Sequence, residues 1–313
     1  MMRRLVQSLV ALLVLAFASV AVARTEPIEL ASEGTDFIVD AADGMGRFAT
    51  EASEVVASEW PSVAAASGAP SGATIRVHIE HAFDDWFERE DVPSRPPEWA
   101  AGLAIPSRRV ILLAPGNPEW EATLEHEMAH VAVALATGDR SVPRWFNEGF
   151  ALYTAEQWSM ERASLMIQAG ISGGFVDMDE LAERYPSTGA AVDLAYAQSF
   201  HVVRWMRQTY GEDVWRDVMT TMRTDDVSFQ RAFVTVTETP LSTALEAWES
   251  AARTRYTWAP IGVGGGAAWG VAMVLALMAW RRRSKSRRER LAEMSATESE
   301  LFSPDPDDRT FGR

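Results

Sequence analysis

The chain has 313 residues, a net charge of −15 and no cysteine. This length suits one or two domains able to bury a core without cross-links. The missing cysteines exclude disulfides, thiolate metal sites and cysteine nucleophiles, and the acidic balance argues against binding nucleic acid or anionic lipid through the folded part.

The chain starts Met1-Met2-Arg3-Arg4, passes through an apolar stretch from Leu9 to Val20 and reaches Ala21-Val22-Ala23 before Arg24. A charged start, a short apolar centre and a small-residue exit predict a cleavable secretory signal over residues 1–23, with an uncleaved anchor as the alternative. A strand-like start follows at Phe37–Val39, then a helix from Phe48 to Ala65 with Ala52, Val55, Val56, Trp60 and Val63 as its apolar set. Pro70-Ser71-Gly72 marks a turn. Thr74 to Glu80 alternates with period two and predicts a strand, with His78 and His81 read as exposed residues at its end. Ala101–Ile105 and Arg109–Leu113 flank Pro106-Ser107-Arg108, which predicts a hairpin.

From Asn117 onward the pattern is mostly helical. Asn117 can cap, Pro118 suits the first helical position, and Gly138 ends the helix after Thr137. Further helices are expected over Asn147–Met160, Asp179–Arg184, Ala190–Thr209, Glu212–Met222 and Leu241–Arg253. A second apolar stretch, residues 258–280, carries no charge and is long enough to span a bilayer as one C-terminal transmembrane helix. Its five glycines are tolerated in a membrane helix and would be poor in a soluble one. The basic cluster Arg281 to Arg288 directly after it belongs on the cytoplasmic side. Residues 24–257 are therefore expected outside the cytoplasm, periplasmic or at the cell surface. Residues 281–313, basic and then acidic, are expected as a disordered cytoplasmic tail.

The decisive stretch is His126-Glu127-Met128-Ala129-His130. Residues four apart share a helix face, so both imidazoles can aim at one point. That spacing suits two zinc ligands, with Glu127 beside the metal as general base. A catalytic zinc needs a third protein ligand and an open position. Trp145-Phe146-Asn147-Glu148-Gly149 offers Glu148, because Gly138 and Pro143 let the chain turn and start a second helix facing the first. Glu148 is expected in the first turn of that helix.

H-E-x-x-H followed by W-x-x-E-G resembles the gluzincins, the glutamate-zincin metallopeptidases that include thermolysin and aminopeptidase N. The resemblance is greatest to the compact peptidase-MA-like domains. It continues through Ala195-Tyr196-Ala197-Gln198-Ser199-Phe200 and Tyr210-Gly211, and covers roughly residues 74–253. It implies one Zn2+ held by His126, His130 and Glu148, with Glu127 as the catalytic base. It also implies a tyrosine in a later helix as an oxyanion donor, for which Tyr196 is the candidate; His201, five positions on, is a second candidate or a structural residue. In zincins an edge strand often binds the extended substrate backbone, and Ala101–Ile105 is the candidate here. The amine-recognition motif Gly-Ala-Met-Glu-Asn of aminopeptidase N is absent, so aminopeptidase activity is not implied.

The expected fold is α+β: a small mixed β-sheet followed by a mostly helical zincin-like region, plus the C-terminal transmembrane helix. The expected function is hydrolysis of peptide bonds in a protein or peptide substrate outside the cytoplasm, with endopeptidase preferred because no terminus-binding motif is visible. The alternative from another class is a non-catalytic zinc-fold binding module of the cell envelope. The membrane is contacted through the one C-terminal helix, no nucleic acid is expected, and the sequence sets no oligomeric state.

Overall fold

The structure, a computed structural model, describes residues 24–90, 100–116, 118–186, 189–262 and 273. The chain divides into two units, Met1–Thr254 and Arg255–Arg313; the sheet and the candidate site belong to the first. Of the second, the helical residues up to Gly262 and Met273 are described. The expected signal over 1–23 and tail over 281–313 lie outside the described residues, as does most of the expected membrane span over 258–280. Among the described residues, no helix is long and apolar enough to cross a membrane.

The fold is α+β. Among the described residues, five strands form one mixed sheet: β1 (Ile28–Ser32), β2 (Thr35–Ala41), β3 (Thr74–Ile79), β4 (Gly102–Ile105) and β5 (Val110–Leu113), in the order β1-β2-β3-β5-β4. The central pairs β2–β3 and β3–β5 are parallel, and the outer pairs β1–β2 and β4–β5 are antiparallel. The long helix α1 (Gly46–Ser67) returns the chain from β2 to β3 and packs Trp60 edge-on against Phe37. The period-two pattern of β3 has its expected consequence: Ile75, Val77 and Ile79 are fully buried, and the residues between them face the other way.

β5 is buried along its whole length. Val110 and Leu112 pack with Phe83, Trp86 and Phe87 of α2 (Phe83–Glu90) on one face. Ile111 and Leu113 point to the opposite face, where α3 (Trp120–Thr137) packs on β4 and β5. The hairpin turn closes with a short 3₁₀ turn, Pro106–Arg108, and Arg109 in the left-handed region at φ 56°. That leaves β4 as the sheet edge beside α3.

The helical half contains α4 (Arg144–Thr154), α5 (Met160–Ser172), α6 (Met178–Glu183), α7 (Ala190–Tyr210), α8 (Val214–Asp225), α9 (Phe229–Thr237) and α10 (Leu241–Gly262). Several helix boundaries differ from expectation; those nearest the site are at α3 and α4. α3 begins at Trp120 rather than Pro118, and the expected cap Asn117 lies outside the described residues. At its other end Gly138 takes the left-handed conformation and its N–H bonds to the carbonyls of the last turn, as the sequence predicts. α4 begins three residues before the expected Asn147, because the Pro143 carbonyl already accepts from the N–H groups of Phe146 and Asn147. It also ends six residues early: Glu156 adopts a positive φ of 49° and the Gln157 N–H closes back on the Leu152 carbonyl. Ser159 then caps the separate α5 by accepting from the Arg162 N–H at 3.2 Å.

The reading of His78 as an exposed strand-end residue is corrected. It lies within β3, its side chain is only 16% exposed, and Nδ1–H donates to Asp40 at 2.9 Å. Asp40 also accepts from Arg24, which bonds the buried Glu80 at 2.7 Å, so a small charged network closes one end of the sheet. His81 is exposed, with Nε2–H on the Asp43 carbonyl.

Candidate metal centre

α3 and α4 face each other, and their contact brings three side chains together. His126 Nε2 lies 3.7 Å and His130 Nε2 3.8 Å from the same Glu148 oxygen, Oε2. The potential ligand atoms of the three all fall within 4.8 Å of one another. The one-turn offset of His126 and His130 sets their ring centroids 4.8 Å apart and nearly perpendicular, at 82°. Both Nδ1 atoms are buried without a hydrogen-bond partner among the described residues, and both Nε2 atoms turn toward Glu148.

Two imidazole nitrogens and a carboxylate are a donor set that zinc accepts. Ligand bonds of about 2.0–2.1 Å in tetrahedral geometry place ligand atoms about 3.4 Å apart. The observed 3.7 and 3.8 Å need only a small inward movement to close on an ion. The residues present therefore fit the group.

α4 is held rigidly behind this face. Trp145 and Phe146 are buried in an aromatic cluster with Trp215 and Phe229; the Phe146 ring lies 4.7 Å from Trp215 and 4.8 Å from Phe229. Gly149 lets α4 and α7 approach: a Cβ there would sit 2.2 Å from the Ser199 carbonyl oxygen. In W-x-x-E-G the tryptophan and glycine thus anchor the helix that presents the glutamate. Glu148 falls in the second turn of α4, not the first, because the helix starts early. Burial raises its carboxyl pKa, but contact with His126 and the charges of His130, His126 and Arg144 outweigh burial and hold it below the ordinary glutamate value.

Glu127 is 8% exposed. Burial pushes its carboxyl up to about 7, against the pull of His130 and of a hydrogen bond from the Ala104 N–H, while Glu148 adds to the rise. The Ala104 N–H donates to Oε2 at 2.6 Å, which aims a backbone donor of the edge strand β4 at this carboxylate. A cation held by the triad would act against this rise and favour the charged form of the carboxyl.

The site opens into a cleft of about 860 Å³ between β4, α3, α4, α5 and α7. Tyr196 lines it, and burial, then Glu148, pushes its hydroxyl up to about 12. His201 does not line this cleft. Its Nδ1 accepts from Trp248 Nε1 at 2.9 Å, on another face of α7, which is a structural placement.

A family model described as the peptidase MA superfamily matches residues 64–253. The chain belongs to the peptidase MA superfamily. No curated protein sequence matches. Among solved structures, an M1 zinc metallopeptidase from Deinococcus radiodurans aligns at 17% identity and TM-score 0.40, over 75% of this chain and 51% of that one. A two-domain M1 zinc metallopeptidase mutant bound to L-arginine aligns at 15% identity and TM-score 0.39, again over 75% and 51%. A mutant from Deinococcus radiodurans bound to a Tyr-Ser-Ala substrate aligns at 16% and 0.34, over 75% and 51%. The chain spans about half the length of these structures.

Within this superfamily member, four contributors to the cleft escaped the sequence reading. Gly102 is needed because a Cβ would lie 2.6 Å from Thr123 Cγ2 and 2.9 Å from the Glu127 side chain. Tyr185 enters from the loop after α6: its hydroxyl donates to Ser199 Oγ, which itself donates to the Ala195 carbonyl, and its ring meets Tyr196 at 5.1 Å. Arg144 lies over the Tyr185 ring at 4.8 Å and 3.9 Å from Glu148 Oε1; its place four residues before Glu148 was the one available signal. Arg162 reaches the cleft from α5, a helix the sequence pattern did not predict.

Proposed function

We propose that the chain is a zinc-dependent peptidase whose metal is held by His126, His130 and Glu148, one ion per chain. The observation that carries this reading is the meeting of two Nε2 atoms and one carboxylate beside the buried carboxyl of Glu127, at the edge of a sheet. Superfamily membership supports it. Zinc bound there supplies Lewis acidity toward a scissile carbonyl and makes water at the site more acidic. Glu127 takes the proton from the attacking water and passes it to the leaving amine. The Ala104 N–H keeps that carboxylate aimed into the cleft. The Tyr196 hydroxyl, which stays protonated well above neutral pH, donates to the oxyanion that develops on the carbonyl. β4, the edge strand among the described residues, pairs with an extended substrate backbone through groups other than the Ala104 N–H; an endopeptidase reading is preferred because the sequence shows no terminus-binding motif.

The sequence of residues 1–23 and 258–288 supports action outside the cytoplasm, with the chain anchored by one C-terminal helix. Purified full chain incubated with a peptide library, with and without a zinc chelator, tests the activity. Chelator-sensitive cuts within peptides are expected; no cuts at full zinc occupancy would favour the binding-module alternative. Protease added to spheroplasts tests the topology: the outer domain should be digested and a tag placed after Arg313 spared.

A further inference from the structure

We propose that Arg162 is the receptor for a carboxylate of the substrate, supplied either by an acidic side chain or by the peptide's free C-terminus; the proposal rests on the peptidase reading and names what its cleft selects. Arg162 is the third residue of α5 and lines the same cleft as the His-His-Glu group. Its side chain is half-buried. A guanidinium withdrawn from water ordinarily sits against a carboxylate, because its planar fork of donors matches two carboxylate oxygens at once. Among the described residues, none comes within ion-pair distance of Arg162. Glu119, Glu161 and Asp193 act on it only from farther away, and burial lowers its pKa from the ordinary arginine value. The other arginine of the cleft is differently placed: Arg144 lies 3.9 Å from Glu148 Oε1, over the face of Tyr185, and is more exposed.

Position gives the group its meaning. Arg162 and Tyr196 line the same cleft as Glu127, Glu148 and Arg144. A peptide whose scissile carbonyl sits beside Tyr196 therefore has Arg162 within reach of a neighbouring substrate residue. The chain as a whole is acidic, at −15, and offers no general attraction for anions. Selection of a carboxylate must come from a local cation, and Arg162 is placed to be that cation.

The test uses zinc-loaded full chain in detergent and two matched pairs of fluorescent peptides. One pair differs by Glu against Gln at an internal position, with amidated ends. The other is neutral in sequence and differs by a free against an amidated C-terminus. Binding is read by anisotropy and cleavage on the same samples. In at least one pair the carboxylate member should bind about tenfold tighter or more, and the pair showing it identifies the source. Arg162→Gln should bring that ratio to about one. Arg162→Lys should keep only part of it, since an ammonium is a point charge without the fork. Equal binding in both pairs by the wild type overturns the assignment, as does a ratio unchanged in Arg162→Gln. Should Arg162→Gln fail to fold, an undiminished ratio in Arg162→Lys overturns it equally. Cleavage of all four peptides without preference rejects Arg162 and leaves the peptidase reading standing. Carboxylate-selective binding with no cleavage supports Arg162 and rejects the peptidase reading.

Discussion

The backbone N–H of Ala104 donates to Glu127 Oε2 at 2.6 Å, so the sheet edge and the helix carrying His126 and His130 are joined through the carboxylate proposed as the base. The joint depends on Gly102, where a Cβ would intrude to 2.6 Å from Thr123 Cγ2 and 2.9 Å from Glu127 Oε1. The Cβ would also come within 2.9 Å of Glu127 Cγ, so Gly102→Ala must displace the Glu127 side chain together with Thr123. The expected stability cost is about 1–3 kcal/mol, while kcat/KM falls further because Glu127 is displaced. Melting temperature, zinc content and kcat/KM on one preparation check this; unchanged kcat/KM would detach Gly102 from the site.

Gly149→Ala is expected to act on the fold instead. Its Cβ would meet the Ser199 backbone oxygen at 2.2 Å, and a carbonyl inside α7 cannot step aside as a side chain can. A loss of about 3 kcal/mol or more is expected, read as a lower denaturant midpoint. Stability equal to wild type would contradict the close packing of α4 on α7.

The two tyrosines of the cleft should separate. Tyr196→Phe removes the proposed oxyanion donor, and kcat should drop on the order of 10²-fold with KM little changed. Tyr185→Phe removes a donor to Ser199 Oγ, and its main effect should be a stability loss of about 1 kcal/mol. If Tyr196→Phe keeps its kcat, the hydroxyl has no part in the transition state.

Acid stability has a predicted origin in Asp40. Burial raises its pKa, but the His78 bond and charge and the Arg24 contacts outweigh burial, so the folded value lies below the ordinary one. A carboxyl depressed on folding contributes stability fully above its unfolded pKa of about 3.9 and loses it as pH falls through the folded value. Asp40→Asn should therefore lower stability at neutral pH and flatten the acid limb of stability against pH below about 4. An acid limb as steep as wild type would place its source elsewhere.

Much of the site could be read from short-range pattern. The i, i+4 histidines share a face whatever the tertiary structure, and Gly138 and Pro143 bracket the turn that brings Glu148 back. The alternation of β3 and the Gly138 cap worked for the same reason, since period and glycine conformation are local properties. What escaped depends on the rest of the molecule. The early end of the expected Asn147–Met160 helix turns on Glu156 at positive φ, a conformation no residue but glycine advertises. Tyr185 and Arg162 reach the cleft from a loop and a helix whose positions are set by packing on α7. His78 looked exposed because its strand position was visible and its partner Asp40, on the neighbouring strand, was not.

The central claim is that Glu127 is the base beside a metal held by His126, His130 and Glu148. Glu127→Gln tests it most directly, with zinc measured by elemental analysis and peptide cleavage measured on the same sample. The account predicts zinc content equal to wild type and cleavage reduced by about 10²–10⁴-fold, because the amide cannot accept a proton from water. Cleavage at the wild-type rate with zinc in place would contradict it.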